Sequence, residues 1–127
     1  MSDANTLTFT GRLRSEKYAV RGIRIMVASQ HNAWIHAVAT VAVVGTGVWV
    51  RLSWADWCWI VLAIVSVWTA EALNTAFEFL TDVASPTFHP IAGNAKDVAA
   101  GAVLLAAVGA VVIGVLVFWP KTIGLFL

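Results

Sequence analysis

The chain has 127 residues, of which 60% are hydrophobic and only 12% charged, with a formal net charge of +1. So few charges cannot coat the surface of a soluble domain this small, and a mean hydropathy of +0.83 points to a bilayer instead. One domain is the natural count, because two bodies of half this length could not each bury a core.

The first segment, MSDANTLTFTGRLRSEKYAV, lacks a basic stretch leading at once into an apolar run and a cleavage site, so no leader is expected to be removed. Over residues 8 to 28, Phe9, Leu13, Tyr18, Val20, Ile23, Ile25 and Met26 interleave with Arg12, Arg14, Lys17, Arg21 and Arg24. That pattern predicts an amphipathic helix lying on anionic lipid.

Three membrane spans follow, expected near 32–50, 56–82 and 95–119. The first two rest on apolar runs, Ala37 to Val50 and Trp57 to Ala70, of only 14 residues each. Crossing about 30 Å of hydrocarbon takes about 20 residues, so each run must borrow polar neighbours. The first extends back through His36 to Asn32 and the second forward through Leu80, which predicts that both polar ends sit at the same interface. Cys58, the lone cysteine, excludes a disulfide within the chain and is expected to be a small packing residue.

Residues 98–119 form an uncharged run of 22, long enough to span unaided. Along it Ala102, Ala106, Ala110 and Gly114 recur every fourth residue, a smooth ridge suited to close helix packing or a trimer seam. Pro86 and Pro90 bracket the preceding turn, Gly93 and Asn94 are expected to complete it, and Pro120 is expected to stop the last helix.

Five of the eight Lys and Arg residues precede the first span, which predicts a cytoplasmic N-terminus. Arg51 then lies outside, SPTFHPIAGN inside and the C-terminus outside. Trp49, Trp54, Trp57, Trp59 and Trp119 all fall at the outer boundary, where indole rings are favoured.

The chemistry concentrates in EALNTAFEFLTD, residues 71–82. At about 100° per residue, Glu71, Asn74, Glu78 and Asp82 project within roughly 80° of one another, while Leu73, Phe77 and Leu80 point elsewhere. An acid at a bilayer centre costs about 2.5–3.5 kcal/mol, so this seam must face other helices or a wet cleft. With Trp57 at the outer boundary, Glu71 lies about 21 Å inward and Asp82 reaches cytosolic water. Pairing of the seam with Lys96 or the N-terminal arginines as interhelical glue is one use for it. The other starts from Lys96 and Asp97, expected to open the third span, where free backbone N–H groups favour anions. Carboxylates beside such a lysine are what a Mg²⁺-phosphate site requires. No GxxxxGK[ST] loop and no HRD or DFG element occurs, so any nucleotide chemistry uses a scaffold unlike P-loop enzymes or protein kinases.

EALNTAFE with Asp82 four residues on, followed by NAKDVAAGAVL, closely resembles the signature of the small prokaryotic diacylglycerol kinase and undecaprenol kinase family. NAWIH at 32–36 and the YAVRGIR segment extend the likeness over nearly the whole chain in order. The resemblance implies an all-α membrane protein with three transmembrane helices and an N-terminal surface helix, assembled as a homotrimer in the bacterial inner membrane. It implies transfer of the γ-phosphate of ATP, with Mg²⁺, to a membrane lipid alcohol at the cytoplasmic face, with no nucleic acid involved. By position, Glu71 would be the catalytic base, Asn74 would orient the reacting groups and Glu78 would hold the metal. Lys96, Asp97, Asp82 and Tyr18 would serve the nucleotide. Where the family usually has a second metal-binding Glu, this chain aligns Gln30, a carbonyl oxygen without charge, for which His31 and Asp97 could compensate. His36 is expected to pack or cap, and His31 and His89 to lie on the surface. NAWIH, NAKDVAAGAV and FWPK look more like the undecaprenol branch than the diacylglycerol branch. A proton-coupled transporter built on an intramembrane Glu is the competing class; it predicts a carboxylate reachable from both sides and leaves NAKD unexplained.

Overall fold

The computed structural model describes residues 9–126, all helical apart from short connections, as α1 (Phe9–Ser29), α2 (His31–Trp49), α3 (Trp54–Ala84) and α4 (Pro90–Phe126). The predicted start of the first helix at residue 8 and the side chains of Phe9, Arg12 and Leu13 lie outside the described residues. Helices α2, α3 and α4 are each long and apolar enough to cross a membrane. Both short apolar runs do extend into polar sequence, α2 back to His31 and α3 forward to Ala84.

At the end of the bundle away from Glu71, Glu78 and Asp82, α2 closes through a Schellman motif. Leu52 N–H reaches the Gly47 carbonyl at 3.0 Å and Arg51 N–H reaches Val48 at 3.2 Å. The motif needs a left-handed residue after the helix, and Arg51 supplies it with φ 54°. Ser53 then caps α3 in a reciprocal box with Asp56. Gly47 is where the two helices meet most closely: a Cβ there would come within 2.9 Å of both Leu52 Cδ1 and Trp57 Cη2. Leu52, Ile60 and Val117 form the buried core at this end, with Trp57 against them.

The left-handed conformation strains a side chain with a Cβ by roughly 1 kcal/mol, and glycine bears none of it. Arg51→Gly is therefore expected to raise stability by about 1 kcal/mol. The midpoint of thermal unfolding in micelles measures this, and a midpoint that stays put or drops contradicts it.

Trp49, Trp54, Trp59 and Trp119 are exposed as a boundary belt requires, but Trp57 is not one of them. Its ring turns inward because the bare Gly47 leaves room for it. Cys58 is exposed on α3 and is not part of the buried core within the chain. Pro120 does not stop α4, which continues to Phe126. Proline removes one hydrogen bond but fits helical φ, and Lys121 holds the continuation down by pairing with Asp56 at 3.1 Å.

Gly93 and Asn94 do not turn the chain either; they lie inside α4, which opens at Pro90. Proline suits a first helical position because its missing N–H would go unused there. His89 completes the cap, its Nδ1 accepting from Ile91 N–H at 3.2 Å. The predicted small-residue ridge of α4 meets no close helix within the chain at Gly114, where a Cβ would find nothing within 4 Å. Ala110 and Gly114 instead line a cavity of about 400 Å³ between α2, α3 and α4.

Candidate active site

The acids of α3 do share one face, and solvent access along it is graded. Glu71 is fully buried at 0% exposure and Asn74 is buried, Glu78 is half-buried, and the Asp82 side chain is 64% exposed. A helix advancing 1.5 Å per residue spreads these groups over about 16 Å, from the interior of the bundle to its surface.

What covers this face is the junction of α1 and α2. Gln30 is the single non-helical residue between them, extended at φ −109° and ψ 120°. Its side chain makes no cap and crosses to α3, where Nε2 donates to Glu78 Oε2 at 2.6 Å. Asn74 Nδ2 donates to the other Glu78 oxygen at 3.1 Å, so two amides hold one carboxylate. Deeper in, His36 Nε2 lies 3.7 Å from Glu71 Oε2. One turn further, Trp68 Nε1 donates to Thr40 Oγ1 at 3.1 Å, and that hydroxyl donates to the His36 carbonyl at 2.7 Å. These three pairs set the antiparallel register of α2 on α3.

At the surface end, Lys96 pairs with Asp82. An ammonium has three donors, so a single carboxylate oxygen does not exhaust it. A cavity of about 230 Å³ opens beside the pair, lined by Thr81, Asp82, Ser85, His89, Gly93 and Lys96 among others. On the opposite side of Asn74, an apolar groove of about 780 Å³ runs between α3 and α4 past Leu73, Phe77, Val98 and Ala102.

The fold thus brings together Gln30, Glu71, Asn74 and Glu78 in one seam, with Asp82 and Lys96 at its mouth. Asp97 is exposed on α4, next in sequence to Lys96, and Tyr18 is 63% exposed on α1. Lys96 does not open its helix. It lies six residues past Pro90, so the free backbone N–H groups expected beside it belong to an earlier turn. His36, expected from the sequence to pack or cap, faces the deepest acid instead. Its place in NAWIH, four residues before Thr40 and on the polar end of α2, is the only hint in the chain itself.

Among the described residues no three His, Cys, Asp or Glu side chains converge as a metal cage. The oxygen donors present still fit Mg²⁺, which keeps several waters and commonly takes one or two carboxylates plus phosphate oxygens. Glu78 supplies the carboxylate, and Asn74 Oδ1 beside it is buried without a hydrogen-bond partner. Both oxygens of Glu71 are likewise buried and unpartnered. Buried polar atoms left without partners call for an explanation, and a ligand is one.

Residues 17–118 match the family model for prokaryotic diacylglycerol kinase. The chain belongs to this family of lipid kinases. It is 42% identical over 108 residues to an undecaprenol kinase of Bacillus subtilis, covering 85% of this chain and 88% of that one. A diacylglycerol kinase of Synechocystis is 37% identical over 114 residues, 89% of this chain and 65% of the relative. A diacylglycerol kinase of Escherichia coli K12 is 26% identical over 115 residues, 91% and 94% of the two chains. Membership implies a lipid acceptor and a nucleotide phosphate donor, and the three apolar helices make this a membrane protein.

Proposed function

We propose that this chain transfers the γ-phosphate of MgATP to the hydroxyl of undecaprenol or diacylglycerol at the cytoplasmic face of the bacterial inner membrane. The observation that carries the reading is the graded seam on α3, from fully buried Glu71 to the water-exposed Asp82–Lys96 pair. A lipid hydroxyl cannot leave the bilayer and ATP cannot enter it, so their meeting place has to join the two media.

In this reading Glu71 is the base. One of its unpartnered oxygens takes the hydroxyl proton as the lipid oxygen bonds to the γ-phosphorus. The bond from that phosphorus to its bridging oxygen breaks, and ADP leaves with the bridging oxygen. Asn74, adjacent along the seam, orients the reacting groups. Glu78, with the carbonyl oxygens of Asn74 and Gln30, would hold Mg²⁺, and the bound ion would neutralise charge on the phosphates. Lys96 and Asp82 receive the nucleotide at the mouth, with Asp97 and Tyr18 approaching from α4 and α1. The apolar groove beside Asn74 offers the lipid chain a path alongside the base.

The reading includes a cytoplasmic N-terminus, α1 lying on anionic lipid with its arginines in the headgroups, and a homotrimer in which α4 ridges meet. The proton-coupled transporter gains nothing from this geometry. It accounts for a buried Glu71 but not for the Asp82–Lys96 pair and the cavity at the surface end of the same face.

The test is transfer of labelled phosphate from ATP to undecaprenol and to diacylglycerol in the same micelles with Mg²⁺ present. Transfer is expected to both, and faster to undecaprenol, in line with the 42% identity to a kinase named for that lipid. A folded protein that labels neither lipid ends the proposal.

A further inference from the structure

We infer that His36 is the positioning residue of Glu71: its Nε2–H orients the buried carboxylate and leaves the opposite oxygen free to take the lipid proton. The inference rests on the lipid kinase reading of the site and adds to it a residue assigned to no role above.

Three observations carry it. Glu71 is fully buried, and neither carboxylate oxygen has a hydrogen-bond partner. His36 Nε2 lies 3.7 Å from Oε2, and the His36 side chain is itself only 17% exposed. The ring is also held in place. Trp68 meets it edge-on at 6.4 Å between centroids and 68° between planes, and the same Trp68 is tied through Thr40 to the His36 backbone.

A ring closing the gap by less than 1 Å makes a charge-assisted hydrogen bond, and such bonds commonly tighten only when substrate is bound. A neutral imidazole with its proton on Nε2 suffices, as does an imidazolium. The lone pair of the carboxylate that accepts from His36 is then spent. The other oxygen, Oε1, buried and without a hydrogen-bond partner, is the one available to the hydroxyl. Held this way, the carboxylate needs no rotamer search when substrate arrives, which is how a fixed base lowers a barrier.

Three substitutions test this. His36→Phe keeps a ring and removes the donor, His36→Gln keeps an N–H at nearly the same reach, and His36→Asn keeps an amide that falls short of Glu71. His36→Phe and His36→Asn are expected to lower kcat by about 10- to 100-fold, the size of a lost hydrogen bond to a charged group. KM for lipid and for ATP is expected to stay within about twofold, because no ground-state contact is removed. His36→Gln recovers most of the lost rate, and His36→Phe added to Glu71→Gln costs nothing further.

A second readout does not depend on turnover. The infrared carboxyl band of Glu71, isolated as the difference between wild type and Glu71→Gln, is expected to shift in His36→Phe and return in His36→Gln. An unmoved band overturns the contact. Wild-type kcat in His36→Phe and His36→Asn, equal impairment of all three variants, or a loss confined to lipid KM overturns the positioning role. Should wild type label no lipid while the band shifts, the kinase reading fails and the contact survives without its catalytic role.

Discussion

Glu71→Gln is expected to remove phosphate transfer almost completely while leaving the fold intact. The substitution keeps the volume of a fully buried side chain and exchanges one carboxylate oxygen for an amide that cannot accept the lipid proton. General bases contribute about 10²- to 10⁴-fold to rate, so kcat should fall by that factor. The same change relieves a buried carboxylate that has no hydrogen-bond partner. Unfolding in micelles should therefore occur at the wild-type temperature or above it, since removing a costly buried charge seldom destabilises. The pairing of these results is the informative part. Activity lost together with stability would mark Glu71 as interhelical glue, and activity retained would place the base elsewhere.

The second large effect is expected at Glu78, and it has a partner of opposite sign. Glu78→Gln takes away the only charge among the oxygens proposed for Mg²⁺, so the Mg²⁺ concentration giving half-maximal rate should rise by about 100-fold or more. Raising Mg²⁺ should restore part of the rate, which separates weak metal binding from a damaged fold. Gln30→Glu puts a second carboxylate where an amide now donates to Glu78 at 2.6 Å. Without metal the two negative charges repel and the unfolding midpoint should drop; with Mg²⁺ the pair binds more tightly and the half-saturating concentration should fall below wild type. Titration of activity against Mg²⁺ for the three proteins orders them Gln30→Glu, wild type, Glu78→Gln. If the three curves coincide, the amide–carboxylate cluster is structural and the metal lies elsewhere.

Both expectations depend on a feature legible from spacing alone. Residues 71, 74, 78 and 82 recur at three or four, the period of one helix face, and no other element of the chain places acids in that rhythm. The membrane spans were legible for a related reason. Backbone groups in hydrocarbon must bond within their own helix, so long apolar runs leave the chain little choice. That is why α2 and α3 extend into polar sequence as expected, and why their polar ends lie together at Gln30 and Glu78.

Local punctuation misled where a competing contact outweighed it. Proline at 120 reads as a stop, but the Lys121–Asp56 pair carries the helix on. Gly93 and Asn94 read as a turn, but Pro90 with the His89 cap starts the helix before them. Trp57 reads as a boundary ring, but the hole left by Gly47 takes it inward.

Hydropathy and spacing predict the number of apolar helices, the acidic face of residues 71–82 and its direction from oily to polar sequence, because each is a property of one helix and its period. What that face meets depends on how the helices pack. Gln30 and Glu78 are 48 residues apart, and no local rule links them. His36 is brought to Glu71 by the register that Thr40 and Trp68 set between two antiparallel helices. Which oxygen of a buried carboxylate is held and which is left free depends on groups from another helix, and their placement comes from packing rather than periodicity.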